Sequence, residues 1–252
     1  MYENYINHKT HRPPQKLLNF DLPPGVVIAN KYEVVEKLGG GWEGEVYLVK
    51  ERIVKIERTA KLFYPKRNVH DRASNFYAKK LHKLRHCPII IQYHTQDTFY
   101  FHGVPIRILI SEYVEGDRLS QFIARQRGKR LSPFQALHML YALVRGIECV
   151  HKQGEYHGDL HTDNIIVQRY GLTFDVKVID MFHWGAPRAE NIHDDVVDLV
   201  KLFYESLGGK KFYKQQPQEI KSIVCGLKRS LILKKFRNAS KLREYLETMQ
   251  WE

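Results

Sequence analysis

The stretch Tyr156-His157-Gly158-Asp159-Leu160-His161-Thr162-Asp163-Asn164-Ile165-Ile166-Val167 packs two histidines, two aspartates and an asparagine into eight residues, then turns apolar. Two chemistries fit such a density of donors. His157, Asp159 and His161 at alternating positions of a strand would share one face and could ligate zinc. Alternatively, Asp159 and Asn164 would serve phosphoryl transfer, one as a proton acceptor and the other as an oxygen ligand for a hard cation. Gly158 weakens a strand, and no motif supplies the remaining zinc ligands, so the second reading is favoured.

The chain around this stretch has 252 residues, enough for a packed core. No apolar run reaches the roughly 18 residues that cross a bilayer, and the N-terminus MYENYINHKTHRPPQ lacks a signal-peptide core. The expectation is a cytoplasmic protein without a membrane span. Cys87, Cys149 and Cys225 form no CxxC pair and read as reduced, mostly buried thiols. The net charge of +12 favours acidic or phosphate-rich partners. Its lysines and arginines are nevertheless spread along the chain without a recognised nucleic-acid module, which argues for solvated surface over a nucleic-acid site.

Two differently built halves emerge from the residue pattern. Residues 1–30 are polar and interrupted by Pro13, Pro14, Pro23 and Pro24, and read as an arm that lies on the surface or is mobile. YEVVEKL, GEVYLV and TAKLF then predict an antiparallel meander. Ala73, Tyr77, Lys80, Leu81 and Leu84 recur at helical spacing up to the break at Cys87-Pro88. IIIQYH, TFYFHG and VPIRILISEYV add strand candidates. After Val114 the pattern becomes helical, with helices over 119–127 and 133–153 and a short hairpin from IIV (165–167) and VKVID (176–180). This predicts a β-rich half carrying one helix, followed by a helical half.

LGGGWEGEVY spaces Gly39, Gly41, Gly44 and Val46 as GxGxxGxV between two strand candidates. Glycine admits close approach of a polyphosphate to backbone N–H groups, although a hairpin turn alone also explains glycines there. The glycines precede a strand rather than opening a helix, which argues against a dinucleotide site. Lys61 follows Val46 by fifteen residues and can place a cation on phosphates, with Lys55 as its competitor.

Together these motifs resemble the protein kinase-like superfamily over about residues 31–247. HGDLHTDN stands where that family has HRDLxxxN, Asp180 stands at the Asp of DFG, and ISEYVEG resembles the hinge. DDVVDLVKLFYESLGG resembles the next helix with its buried Asp, and RNASKL resembles the arginine-containing helix near the end. The resemblance implies an α+β, bilobal protein kinase-like fold: an arm over 1–30, a small β-rich lobe with one helix over 31–113, and a larger, mainly helical lobe over 114–252. It implies ATP bound by Leu38, Gly39, Gly40, Gly41, Gly44, Val46 and Lys61, with Glu112 and Val114 flanking the adenine. Asp159 is implied as the base, His161 as a contact of the phosphate or an orienter of Asp159, and Asn164 and Asp180 as Mg²⁺ ligands. His157 becomes scaffold, and Asp195 an acceptor of backbone N–H groups from the catalytic loop.

The chain departs from the family in three places. No acidic residue lies between Asp71 and Asp97, so the helix glutamate that pairs with the strand lysine is missing, with Tyr77 near its place. Asp180 is followed by Met181 and Phe182 instead of Phe-Gly. From Asp180 to Asp195 there are only fifteen residues, short for an activation segment, with Ala186-Pro187 read as a vestige of its anchor. The expectation is an ATP- and Mg²⁺-dependent serine/threonine protein kinase with a protein acceptor. The alternatives are a nucleotide-binding pseudokinase and a small-molecule kinase of the aminoglycoside or choline kinase type.

Overall fold

A computed structural model of the chain describes residues 19–171, 173–181 and 186–250. The strands and helices are β1 (Val27–Ile28), β2 (Tyr32–Gly40), β3 (Gly44–Glu51), β4 (Glu57–Phe63), α1 (Arg72–Lys83), β5 (Tyr93–Phe101), β6 (Val104–Glu112), β7 (Asp117–Arg118), α2 (Leu119–Arg125), α3 (Pro133–Lys152), β8 (Ile165–Tyr170), β9 (Thr173–Val178), α4 (Ala189–Ser206), α5 (Lys210–Tyr213), α6 (Gln218–Val224), α7 (Arg229–Lys235) and α8 (Ala239–Thr248). They fall into two compact units. One is the chain up to His82 with Gln92–Tyr113, and the other is Lys83–Ile91 with the chain from Val114 onward.

The first unit is a six-stranded antiparallel sheet in the order β1-β2-β3-β4-β6-β5. The expected meander therefore holds only as far as β4. After α1 the chain enters the edge strand β5 and returns through β6 to pair with β4. Hydrophobicity fixes which face each strand buries but not its neighbour, so the pattern left this open. Tyr47, Val49, Ala60, Leu62, Ile106, Ile108 and Ile110 alternate onto one face and form a single cluster with Phe20, Leu22 and Ile28. Within the arm, Phe20, Leu22 and Ile28 are buried against this face while most of residues 19–30 stay exposed, so this part lies on the surface as a packed segment, and residues 1–18 lie outside the described residues.

Glu45, 1 % exposed, clips this segment down. Its carboxylate accepts the backbone N–H of Phe20 (3.0 Å) and of Asp21 (3.3 Å), and the hydroxyls of Tyr47 and Tyr64. The Tyr47 hydroxyl in turn accepts the N–H of Leu22 at 3.1 Å. Burial alone would raise the Glu45 carboxyl, but the hydrogen bonds from Tyr47, Phe20, Lys37 and Tyr64 outweigh it and hold the group below its ordinary value. Burial and the facing carboxylate push Tyr64 up to about 12 and raise Tyr47 as well.

In the second unit, α3 begins with a capping box. The Ser132 hydroxyl accepts Gln135 N–H, the Gln135 side chain accepts Ser132 N–H, and Pro133 occupies the first turn. Its buried Ala136, Met139, Leu140, Leu143, Val144, Ile147 and Val150 follow helical spacing and pack against α4 and α8. IIIQYH, expected as a strand, is not one over Ile89–Ile91. These buried residues pass across the second unit, where Val178 N–H donates to the Ile89 carbonyl at 2.8 Å. Gly146 permits this path, because a Cβ there would lie 2.4 Å from Ile89 Cδ1. Three residues along the same face of α3, Cys149 is disulfide-bonded to Cys87, with Cα atoms 5.7 Å apart. This corrects the expectation of three reduced thiols. Sixty-two residues separate the pair, so spacing could not reveal it.

Two stability measurements follow from these clips. Glu45→Gln is expected to cost about 2–3 kcal/mol at pH 7. A depressed folded-state value stabilises above the ordinary carboxyl value of 4.5 and loses that stabilisation as the pH falls through the lower folded value, so the gap between wild type and variant in urea unfolding closes in acid. Reducing the disulfide, or Cys149→Ser, is expected to lower unfolding free energy by up to about 4 kcal/mol for a loop of this length, read from denaturant midpoints with and without dithiothreitol.

Candidate functional site

In the first unit the glycines form a tight turn. Gly39 pairs with Val46 and Gly40 with Glu45, and Gly41 N–H closes the turn on the Gly44 carbonyl at 2.9 Å. Leu38 falls at a register shift between Lys37 and Gly39, a bulge of the kind that re-aims side chains beside sites. Gly44 is required by proximity, since a Cβ there would meet the Leu62 carbonyl oxygen at 1.9 Å. Val46 is also directly opposite Lys61, so the two side chains share the sheet face opposite the Tyr47 cluster. Lys55 stands in the exposed turn after β3 with φ of 59°.

Lys61 is 13 % exposed, and its Nζ lies 3.0 Å from Oε2 of Glu43, itself 17 % exposed. Its ammonium also sits 4.8 Å from the centre of the Tyr77 ring on α1, a helix whose first turn holds no acid. Glu43 is fixed from below by its own carbonyl, which accepts Tyr64 N–H at 2.9 Å. The carboxylate missing from the helix is therefore supplied by the glycine turn. Sequence reasoning missed Glu43 because the family pattern directs attention to the helix.

In the second unit the acidic stretch is a loop, not a strand. A 3₁₀ turn over Thr162–Asn164 separates it from β8. His157 is fully buried and spends both ring nitrogens, Nε2 on the Ile179 carbonyl (3.1 Å) and Nδ1 on Asp159 N–H (3.2 Å). Ligating zinc through either nitrogen would break the hydrogen bond made there, and among the described residues no three His, Cys, Asp or Glu side chains form a metal cluster. Asp195, fully buried on α4, accepts His157 N–H (2.7 Å), Gly158 N–H (2.8 Å) and the His151 Nε2 (3.0 Å). That is the role expected of it.

Asn164, buried, donates Nδ2 to both the Asp159 carbonyl (3.0 Å) and Asp159 Oδ2 (3.1 Å), which fixes its amide orientation and leaves Oδ1 as an oxygen ligand. Its own carbonyl accepts Ile179 N–H at 2.9 Å, so the residue before Asp180 is bound to the same asparagine. Asp180 adopts a left-handed backbone with φ of 54°, which costs energy for a residue other than glycine. His161 Nδ1 accepts Asp163 N–H at 3.3 Å, which puts a neutral ring's proton on Nε2, 3.5 Å from Asp159 Oδ2. Asp163 is held by the Ser120 hydroxyl. Glu112 ends β6 with its N–H bound to the Gln92 carbonyl at 2.9 Å, and Val114 follows without regular structure. Phe182 lies outside the described residues.

Arg229 on α7 pairs with Asp194 at 2.7 Å and with Glu190, both on α4. In RNASKL it is Asn238 that matters locally, since it caps α8 through Lys241 N–H at 3.0 Å.

The protein kinase domain family model matches residues 32–223. A probable serine/threonine-protein kinase YbdM of Bacillus subtilis is 24 % identical over 247 residues, covering 92 % of this chain and 94 % of that protein. Human serine/threonine-protein kinase Nek11 is 29 % identical over 161 residues, or 58 % of this chain, and Bacillus subtilis PrkC 27 % over 161 residues, or 62 %. The matches span only 23 % of each of those two relatives. The crystal structure of the Mycobacterium tuberculosis PknI kinase domain superposes with a TM-score of 0.62 at 16 % identity, covering 90 % of this chain and 99 % of that one, and so shares the fold. No helix among the described residues is long and apolar enough to cross a membrane.

Asp195→Asn replaces one acceptor oxygen with an N–H₂ that faces backbone donors. It is expected to destabilise by about 2–3 kcal/mol in urea unfolding, and to loosen the loop around His157 in hydrogen exchange.

Proposed function

Because the chain belongs to the protein kinase domain family, a family of phosphotransferases, we propose that it transfers the γ-phosphate of ATP to serine or threonine hydroxyls of a protein acceptor. The observation that carries this is the contact of Asn164 with Asp159, which fixes a carboxylate and an amide oxygen on one short loop. Serine/threonine specificity is taken from the names of the relatives. On this reading residues 31–113 are the smaller lobe, 114–252 the larger, and 1–30 an arm.

Asp159, 58 % exposed at its side chain, is open to an acceptor. One carboxylate oxygen is committed to Asn164 and faces His161, and the other takes the proton of the attacking hydroxyl. His161 orients Asp159. Asn164 Oδ1 and the Asp180 carboxylate are hard oxygen donors of the type Mg²⁺ takes, and these two residues would hold it. Bound there, the ion would neutralise phosphate charge. Leu38 and Val46 would border the nucleotide, with Glu112 and Val114 flanking the adenine. The turn Gly39–Gly44 offers unhindered backbone N–H groups to phosphate oxygens. Lys61 supplies the fixed positive charge, and Glu43 with the Tyr77 ring holds it in place of a helix glutamate.

That same ion pair favours a second reading. A carboxylate on Lys61 competes with phosphate, which suits a nucleotide-responsive binding module of low turnover.

Phosphate transfer from labelled ATP with Mg²⁺ distinguishes them, using peptide, sugar and amino alcohol acceptors. Asp159→Asn is expected to lower kcat by about 10²–10⁴ while ATP binding persists. Lys61→Met is expected to weaken ATP binding, and Glu43→Gln to lower kcat as Lys61 loses its orientation. Equal silence of wild type and Asp159→Asn on every acceptor, with ATP bound, would leave the binding module standing.

A further inference from the structure

A cavity of about 480 Å³ opens where α3 begins, in the second unit, and shares no residue with the machinery above. Its size is that of a small-ligand site. Gln126, Arg127, Arg130, Ser132, Gln135 and Gln216 line it, and among the described residues no acidic side chain does.

The charges in its wall are unbalanced. Arg125, just before, is neutralised by Asp117. Among the described residues neither Arg127 nor Arg130 has a carboxylate partner. Arg130 is already ordered, because its guanidinium lies 3.7 Å from the centre of the Phe212 ring. Stacking occupies its flat face and leaves the N–H edge to a ligand. The positive end of the twenty-residue helix α3 adds its field. Its capping box consumes the N–H groups of Ser132 and Gln135, so the helix contributes potential rather than these two donors.

Gln216 gives the second, independent indication. It is 6 % exposed, its Nε2 reaches the Phe212 carbonyl at 3.4 Å, and its Oε1 has no hydrogen-bond partner among the described residues. A bound molecule with an N–H or O–H group would satisfy this buried acceptor. The complement of this wall is an anion that also carries an N–H or O–H group.

We propose that the cavity binds a phosphate monoester bearing such a donor, with Arg127 and Arg130 on the phosphate and the Gln216 carbonyl on the donor. A phosphate monoester carries up to two negative charges and three acceptor oxygens, which matches two guanidinium groups better than a single carboxylate does. Phosphoserine is the simplest molecule with these parts, either free or within a peptide chain.

Calorimetric titration of the full chain tests this with O-phosphoserine, a peptide carrying one phosphoserine, and the same peptide unphosphorylated. Both phosphorylated probes are expected to bind and the unphosphorylated peptide not to. Arg127→Glu, at an exposed position, and Arg130→Gln are each expected to weaken binding about ten- to a hundredfold. Gln216→Glu, which adds a negative charge to the wall, is expected to abolish it, while Lys61→Met leaves it unchanged. A peptide binding at least tenfold tighter than O-phosphoserine identifies a chain-borne ligand, and equal affinities identify a small molecule. Absence of binding to wild type, or binding that survives both arginine substitutions, overturns the proposal.

Discussion

A carboxylate removed from water must be surrounded by donors, and Asp195 meets that demand by collecting the two backbone N–H groups that precede Asp159. The chain at His157 and Gly158 then has one position, and the His157 ring, pinned between Ile179 and Asp159, passes that constraint on to the end of β9. Asn164 closes the circuit through its side chain to Asp159 and its carbonyl to Ile179 N–H. Nothing in this circuit is a long, flexible side chain, so the catalytic candidates inherit the rigidity of α4 and the β8–β9 hairpin.

The first unit solves a similar problem with Glu45. There the donors are Phe20 and Asp21 N–H and two tyrosine hydroxyls, and the result is a covered sheet face. In both units a single buried acid ties down a segment far away in the chain, 25 residues for Phe20 and 38 for His157. Such clips are expensive to leave half made, so each behaves as an all-or-none fastening.

This explains what could be read from residues alone. β2, β3, β4, α1, α3 and the β8–β9 hairpin were legible because each carries its own period, and the HGDLHTDN loop because its residue types are improbable as mere surface. The neighbours of β4, the packing of residues 19–30, the Cys87–Cys149 bond and the path of Ile89–Ile91 were not, since each depends on partners distant in sequence. Gly146 was a faint signal: glycine inside an otherwise strong helix usually marks a close approach, and the Ile89 side chain is what approaches.

The absence of an acid from α1 has a different lesson. A buried ammonium needs a counter-charge, but electrostatics does not specify which element supplies it. Here Glu43 supplies it from the glycine turn, on the same side of the sheet as Val46 and Lys61. A helix acid can move away only with its helix, whereas Glu43 rides on the segment proposed to enclose phosphates. Incoming phosphate oxygens and Glu43 would then compete for one ammonium, so nucleotide affinity and turn conformation are coupled through a single ion pair. The ring of Tyr77 keeps Lys61 from losing all compensation during that exchange, because its face attracts the cation without competing for the phosphate.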